Sequence, residues 1–389
     1  ANRSKPVNPL PIIKWKEQQQ LWSAQWRSEN GSPPPKKLTL IDDTMPADTA
    51  YRLACEGTAM LWRGDYQNAK QLLQAMARRA DAQAARSAKK RPAALRDAFN
   101  LHRLAQSQRA RTLSMLLISF DRDYTIPLTR APDVQRACFE AWGPPQPAAR
   151  GDSVASLREL LGIIGAHEWR RKGVEIAALG DRIHPHYGVF APIRSEYVGM
   201  VAEAPLPEPL PKLAFDIGTG TGVLAAVLAK RGIKRIVATD QDPRALSCAR
   251  ENMIKLELDS RVKVVEANLF PEGRAPLIVC NPPWLPARPS SPLEHAVYDP
   301  DSAMLRGFLG GLAAHLEPGG EGWLILSDLA EHLELRSRET LMEWIDAAGL
   351  VVADRIDVRP THPRVSDKTD VLHAARSKEV TSLWRLRAK

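Results

Sequence analysis

Between residues 213 and 230 the chain reads as strand, tight turn and helix in immediate succession, and this stretch limits the fold more than any other. Leu213-Ala214-Phe215-Asp216-Ile217 is an apolar run of the length expected for a buried parallel strand. Gly218, Gly220 and Gly222 alternate through the turn, and Val223 to Lys230 reads as a helix that Gly232 ends. Glycines between such a strand and helix let ligand and backbone approach closely at the crevice of a doubly wound sheet. The nicotinamide form of this turn needs Gly-x-Gly-x-x-Gly, and Val223 stands where the third glycine belongs.

The alternation of strand and helix continues to the end of the chain. Arg235 to Asp240, Val262 to Ala267, Leu277 to Asn281, Trp323 to Ser327, Leu350 to Ile356 and Thr381 to Leu386 read as strands. Pro243 to Leu258, Asp301 to Leu316 and Glu331 to Ala347 read as the helices between them. This predicts a seven-stranded mixed sheet with helices on both faces. Asp240 ends the second strand, eighteen residues beyond Gly222, where a carboxylate can accept from both hydroxyls of a ribose. Asp242-Pro243 is an N-cap followed by proline at the first helical position.

Asp216-x-Gly218-x-Gly220-x-Gly222 resembles motif I of the class I S-adenosylmethionine (SAM) methyltransferases. Asn281-Pro282-Pro283-Trp284, at the end of the fourth strand, resembles the Asn/Asp-Pro-Pro-aromatic motif of those that modify planar amino nitrogens. The chemistry accounts for the residue types. An exocyclic amine or carboxamide nitrogen is a poor nucleophile, because its lone pair is delocalised into the attached π-system. The Asn281 side-chain oxygen and the Pro282 carbonyl can accept its two N–H hydrogens, which favours a pyramidal nitrogen. The prolines, Pro282 and Pro283, hold those acceptors in place, and Trp284 offers a flat face to a base or an amide plane.

The resemblance is to the small-domain type, which includes ribosomal RNA guanine-N2 methyltransferases and release-factor glutamine methyltransferases. It covers Tyr187 to Asp328 and implies a Rossmann-like α/β fold with SAM as cofactor. By this resemblance Asp216, Gly218, Thr219, Gly220, Gly222, Asp240, Gln241 and Asn268 are the candidate cofactor-binding residues. Asn281, Pro282, Pro283 and Trp284 are the candidate catalytic ones. Asp216 and Asn268 also fit as loop caps. Tyr187-Gly188-Val189-Phe190 matches the segment that covers the cofactor in the small-domain enzymes, which makes Phe190 a lid residue, unless it is a core phenylalanine. The usual Phe or Tyr of the Asn-Pro-Pro motif is Trp284 here, so the motif leaves the substrate class open. Arg288, His295 and Tyr298, in the polar loop that follows, are candidates to touch substrate or simply to build the loop.

At 389 residues the chain is long enough for two domains, and Gly143-Pro144-Pro145-Gln146-Pro147 to Gly151-Asp152 reads as the linker. The expected domains are 1–150, mainly α-helical, and 151–389, catalytic. Residues 1–150 carry 24 Lys and Arg against 13 Asp and Glu, whereas 151–389 are close to neutral. From Arg78 to Arg111 ten basic residues face two acidic ones, and Lys89, Lys90, Arg91 and Arg96 form the densest part. This is either a solvated helix face or a surface that meets RNA or the ribosome. Trp15, Trp22 and Trp26 share a face if Ile12 to Arg27 is helical. Helices are also expected at Ala47 to Arg63, Tyr66 to Ala85, Asp133 to Trp142 and Ser153 to Arg171. Val174 to Ile183 should form a hairpin.

Four scattered cysteines and the isolated His184-Pro185-His186 argue against disulfides and a metal site. No stretch reads as a signal peptide or membrane span, so a cytoplasmic protein is expected. The resemblance implies a SAM-dependent N-methyltransferase. The basic N-terminal half favours a nucleobase amine in structured RNA as substrate. A glutamine or asparagine amide on a translation protein is the alternative, and a non-catalytic RNA-binding protein on the same fold is a third.

Overall fold

In the computed structural model, residues 9–87, 94–145, 151–194, 196–361 and 363–389 are described. The chain divides into two units, residues 1–91 with 100–167, and residues 92–99 with 168–389. The boundary falls at 167/168 and not at the linker, so β6, below, lies within the first unit.

The first unit is built on a six-stranded sheet that the helical expectation missed. Its strands are β1 (Ile12–Glu17), β2 (Gln20–Trp26), β3 (Lys37–Ile41), β4 (Thr58–Trp62), β5 (Leu116–Phe120) and β6 (Ser153–Ser156), in the order β1-β2-β6-β5-β4-β3. Helices α1 (Ala47–Cys55), α2 (Tyr66–Ser87), α3 (Leu95–Leu113), α4 (Gln135–Trp142) and α5 (Leu157–Lys172) account for more residues than the strands do.

Three expected helices are corrected. Ile12 to Arg27 is a hairpin in which Trp15 pairs with Trp22, because Ile13 and Trp15 are buried while Lys14 and Lys16 are exposed. Alternation of that kind is a strand period. Ala47 to Arg63 breaks at Gly57 (φ 81°), whose left-handed conformation ends α1 and releases the apolar Thr58–Trp62 into the sheet. The first four residues of Ser153 to Arg171 are all buried and form β6, which pairs with both β5 and β2. Asp65 caps α2, its carboxylate accepting from Gln67 N at 2.8 Å.

The second unit follows the sequence closely. After the small hairpin of β7 (Val174–Ile176) and β8 (Asp181–Ile183) and helix α6 (Glu196–Glu203), strand β9 (Leu213–Ile217) leads into α7 (Val223–Lys230). There follow β10 (Arg235–Asp240), α8 (Pro243–Lys255), β11 (Val262–Glu266), β12 (Ala275–Cys280), α9 (Ala303–His315) and β13 (Leu316–Ser327). The chain ends with α10 (Leu329–His332), α11 (Arg338–Ala347), β14 (Leu350–Val358) and β15 (Thr381–Ala388).

The sheet order is β11-β10-β9-β12-β13-β15-β14, parallel except where β15 runs against β13 and β14. Both faces are covered. Along β12, Leu277 and Val279 pack into one apolar cluster, while Ile278 and Cys280 pack into the other. The chain leaves β9 toward β10 and β11, then returns to place β12 on the other side of β9. That reversal opens a crevice at the carboxyl ends of β9 and β12, where the glycine turn and Asn281 stand. A smaller cluster in this unit joins Phe99, 2% exposed, to Leu285, Leu329, Ala330, Leu333, Leu372 and Ala375.

Candidate active site

Each glycine of the turn has a positive φ, at 69° for Gly218, 55° for Gly220 and 87° for Gly222. At Gly222 the requirement is twofold, because a Cβ would also meet Met253 Cε at 2.8 Å and Ala249 Cβ at 3.4 Å on α8. The turn is pinned from below. Thr219 N donates to the Thr239 carbonyl (2.8 Å), and the Thr219 hydroxyl donates to Asp216 Oδ2 (2.8 Å), which also accepts from Ala225 N (3.1 Å). Asp216 is 1% exposed. Burial, aided by the charge of Asp240, pushes its carboxyl up to about 6, against those two hydrogen bonds.

Asp240 is fixed by the turn itself. Its Oδ2 accepts from Gly220 N and its Oδ1 from Asp242 N, both at 3.0 Å. Burial raises its carboxyl above the usual carboxylate range, and the donated N–H bonds oppose the shift. Each oxygen keeps a lone pair, so the group can accept from a vicinal diol. Asp242 caps α8 through Arg244 N (2.9 Å). Gln241 Nε2 donates to Asn268 Oδ1 (2.9 Å), tying the loops after β10 and β11 together.

Across the crevice, Asn281 is the first residue after β12. The Trp284 indole Nε1–H donates to Asn281 Oδ1 at 2.8 Å, and the ring packs against both main clusters of the sheet. Pro282 is buried and Pro283 half-buried. The turn is continued by Leu285, whose N donates to the Val297 carbonyl (3.2 Å) and whose carbonyl accepts from Asp299 N (2.8 Å). The Asp299 carboxylate in turn accepts from Met304 N and Leu305 N at the start of α9.

The family described as "Methyltransferase small domain" matches residues 182–343. The release factor glutamine methyltransferase of Cereibacter sphaeroides is 33% identical over 234 residues, which are 56% of this chain and 77% of that one. The chain belongs to the methyltransferase small-domain family. The ribosomal protein L11 methyltransferase of Pelotomaculum thermopropionicum is 34% identical over 143 residues, 36% of this chain and 39% of that one. Among solved structures, a methyltransferase from Pyrococcus furiosus aligns with a TM-score of 0.40 and 20% identity, over 60% of this chain and 99% of that one.

The protein is thus a SAM-dependent methyltransferase of class I, and the crevice suits that cofactor. The alternate glycines of the turn stand beside the half-buried Asp240 carboxylate, whose oxygens can still accept, the arrangement an adenosine diol needs. Among the described residues no helix is long and apolar enough to cross a membrane, and no His, Cys, Asp and Glu cluster could hold a metal ion.

The methyltransferase brings Asp216, Gly218, Thr219, Gly220, Gly222, Asp240, Gln241 and Asn268 to the β9 side of the crevice, and Asn281 to Trp284 to the β12 side. Thr219 turns its hydroxyl inward to Asp216. Phe190 is 38% exposed, which removes the core reading for its ring. The segment before it lies on α8, with Val189 packed on Ala245 and Cys248, and the Tyr187 ring under the Arg244 guanidinium. His295 and Arg288 are exposed and Tyr298 half-buried.

Two residues that hold the turn were not singled out in the sequence. Asn252, 1% exposed on α8, donates from Nδ2 to the Thr221 carbonyl of the glycine turn (3.0 Å) and to the His184 carbonyl (3.1 Å). Its Oδ1 accepts from His184 N (2.8 Å). A buried asparagine inside a helix is the one hint, since it must satisfy its amide there. Met304 lies over the turn, with its Cε 2.6 Å from where a Cβ on Gly218 would be. No pattern at sequence level marks that contact.

The raised Asp216 carboxyl gives a pH prediction for the methyltransferase without cofactor. Its folded value, about 6, lies above that of an aspartate in the unfolded chain, about 3.9. Its favourable contribution is therefore complete below pH ~4 and is lost as the pH rises through 6. Asp216→Asn removes the buried charge and keeps an oxygen for Thr219 and Ala225. It should raise stability at pH 8 by up to about 3 kcal/mol and leave it unchanged at pH 4. Denaturant melts at the two pH values check this, and an equal effect at both would disprove the buried-charge account.

Proposed function

We propose that this methyltransferase modifies the side-chain amide nitrogen of a glutamine in a protein of the translation machinery, a release factor in the first instance. The observation that carries the reading is the Asn281 carboxamide oxygen, held at the carboxyl end of β12 opposite the glycine turn. Similarity to a release factor glutamine methyltransferase, spanning 77% of that relative, supports the substrate class.

When bound, SAM supplies an electrophilic methyl group. In this reading Asp240 accepts from the ribose hydroxyls, and Asn268, steadied by Gln241, faces the adenine edge. Asp216 buttresses the turn through Thr219, and Phe190 covers the site. Asn281 Oδ1 and the Pro282 carbonyl accept the two amide N–H hydrogens and hold the nitrogen lone pair toward the methyl group. Proximity and orientation then supply most of the rate, with no base acting before the methyl moves.

A nucleobase amine is the second reading, favoured by the basic surplus of residues 1–150. Several of those cations have partners within their own unit. Arg63 pairs with Glu17, Arg79 with Asp48, Arg109 with Asp81 and Arg130 with Asp65, each within 2.7 Å. Lys89, Lys90 and Arg91 lie outside the described residues, and Arg96 is on the first turn of α3. An RNA or ribosome surface on this unit remains part of the second reading only.

The two readings separate in one experiment. Purified enzyme is incubated with radiolabelled SAM and extract lacking the enzyme, and the product is digested with protease or with nuclease. The expected label is released by protease, and on complete enzymatic digestion to amino acids yields a methylated glutamine. Label released by nuclease alone would overturn the amide reading in favour of the nucleobase.

A further inference from the structure

We propose that Trp284 acts on the reaction through its indole N–H, as a lock that keeps the Asn281 carboxamide oxygen, and not its NH2 group, turned to the methyl-accepting nitrogen. This rests on the amide N-methylation reading and adds a positioning residue to it.

A carboxamide is nearly symmetrical in shape. Rotated by half a turn about its last bond, it exchanges an acceptor for a donor at almost no steric cost. In the methyl-transfer site such a flip would be disabling, because an NH2 group would face the substrate's own N–H hydrogens. The indole has a single polar atom, and that atom can only donate. At 2.8 Å from Asn281 Oδ1, it fixes which end of the amide is which. The flipped state would oppose two donors and leave the indole N–H without a partner at a part-buried position. An amide oxygen has two lone pairs, so one remains for the substrate.

The ring is held firmly enough to serve this purpose. It touches both apolar clusters of the sheet, and its neighbour Leu285 is tied to Val297 and Asp299 on each side. The two prolines between Asn281 and Trp284 fix the intervening backbone, so the bond spans a stiff four-residue turn. A phenylalanine at this position would keep the stacking face and lose the lock, since it has no N–H to donate.

The test replaces Trp284 with phenylalanine and, by an expanded genetic code, with 3-benzothienylalanine, which keeps the bicyclic shape and has sulfur in place of N–H. Both should lower kcat by about tenfold, the loss expected for one hydrogen bond, with the SAM Kd unchanged. In an Asn281→Asp background the second change should cost nothing further, because a carboxylate presents an acceptor in either orientation. Retained kcat in the benzothienyl variant would overturn the lock and leave only stacking. Protection of the Trp284 indole N–H from hydrogen exchange, expected in wild type and lost in Asn281→Ala, needs no turnover. An unprotected wild-type indole would therefore defeat the lock whatever the substrate, whereas protected indole with no methylated glutamine would defeat the amide reading instead.

Discussion

Asn281→Ala should lower methyl transfer by about two to three orders of magnitude while SAM affinity changes by no more than a few fold. The asymmetry follows from the sheet. Asn281 stands after β12, on the opposite side of the crevice from the turn after β9 and the Asp240 carboxylate. In the proposed mechanism its oxygen meets the accepting nitrogen and none of the groups proposed to hold the cofactor. Removal of one preorganised acceptor acts on the transition state, where the nitrogen becomes pyramidal, more than on the bound substrate. Single-turnover rates with calorimetry of SAM binding check both halves, and turnover near that of wild type would eliminate the acceptor mechanism.

For Asp240→Ala the effects should reverse. SAM binding should weaken by about 2–3 kcal/mol, the range for hydrogen bonds to a charged acceptor, while residual turnover at saturating SAM falls much less. Part of the loss comes from the protein itself, since Gly220 N and Asp242 N lose the carboxylate that accepts from them. Asp240→Asn distinguishes the contributions, because it retains an acceptor for one of the two N–H groups. If calorimetry found Asp240→Ala binding SAM as tightly as wild type, the ribose contact would have to lie elsewhere.

The second unit was legible because its signals are local and redundant. Every glycine of the turn takes a conformation that other residues avoid, Asp242-Pro243 marks a helix start, and β9, β12 and the second half of β13 are buried on both faces. The first unit was not, and the reasons are specific. The turn between β1 and β2 is made by Gln18 and Gln19, both at positive φ, where the usual Asn-Gly signature would have announced a hairpin. Ser153–Ser156 abuts a helix with neither proline nor glycine at the joint, so it reads as its continuation, and before Thr58–Trp62 a single glycine, Gly57, is the one stop in an otherwise helix-compatible run.

The candidate site divides in the same way. Candidates that rest on residue type at a fixed spacing, such as Asp240 and Asn281, could be named from the sequence. Contacts that depend on tertiary approach could not. The indole of Trp284 on Asn281, the amide of Asn252 under Thr221 and the thioether of Met304 over Gly218 obey no period along the chain.

The discontinuity of the units bears on how this protein could be dissected. The chain passes from one unit to the other three times, and the short stretch 92–99 belongs with residues more than a hundred positions downstream. A fragment beginning at residue 151 would carry away β6 from the sheet that it completes. It would also lack Phe99, uncovering Leu285 immediately beyond the Asn-Pro-Pro-Trp turn. Loss of an aromatic ring from such a cluster costs about 3–5 kcal/mol when a cavity replaces it. Weak activity in that fragment would thus report damage beside the proposed catalytic turn, and would say nothing about whether the amino-terminal unit recognises substrate.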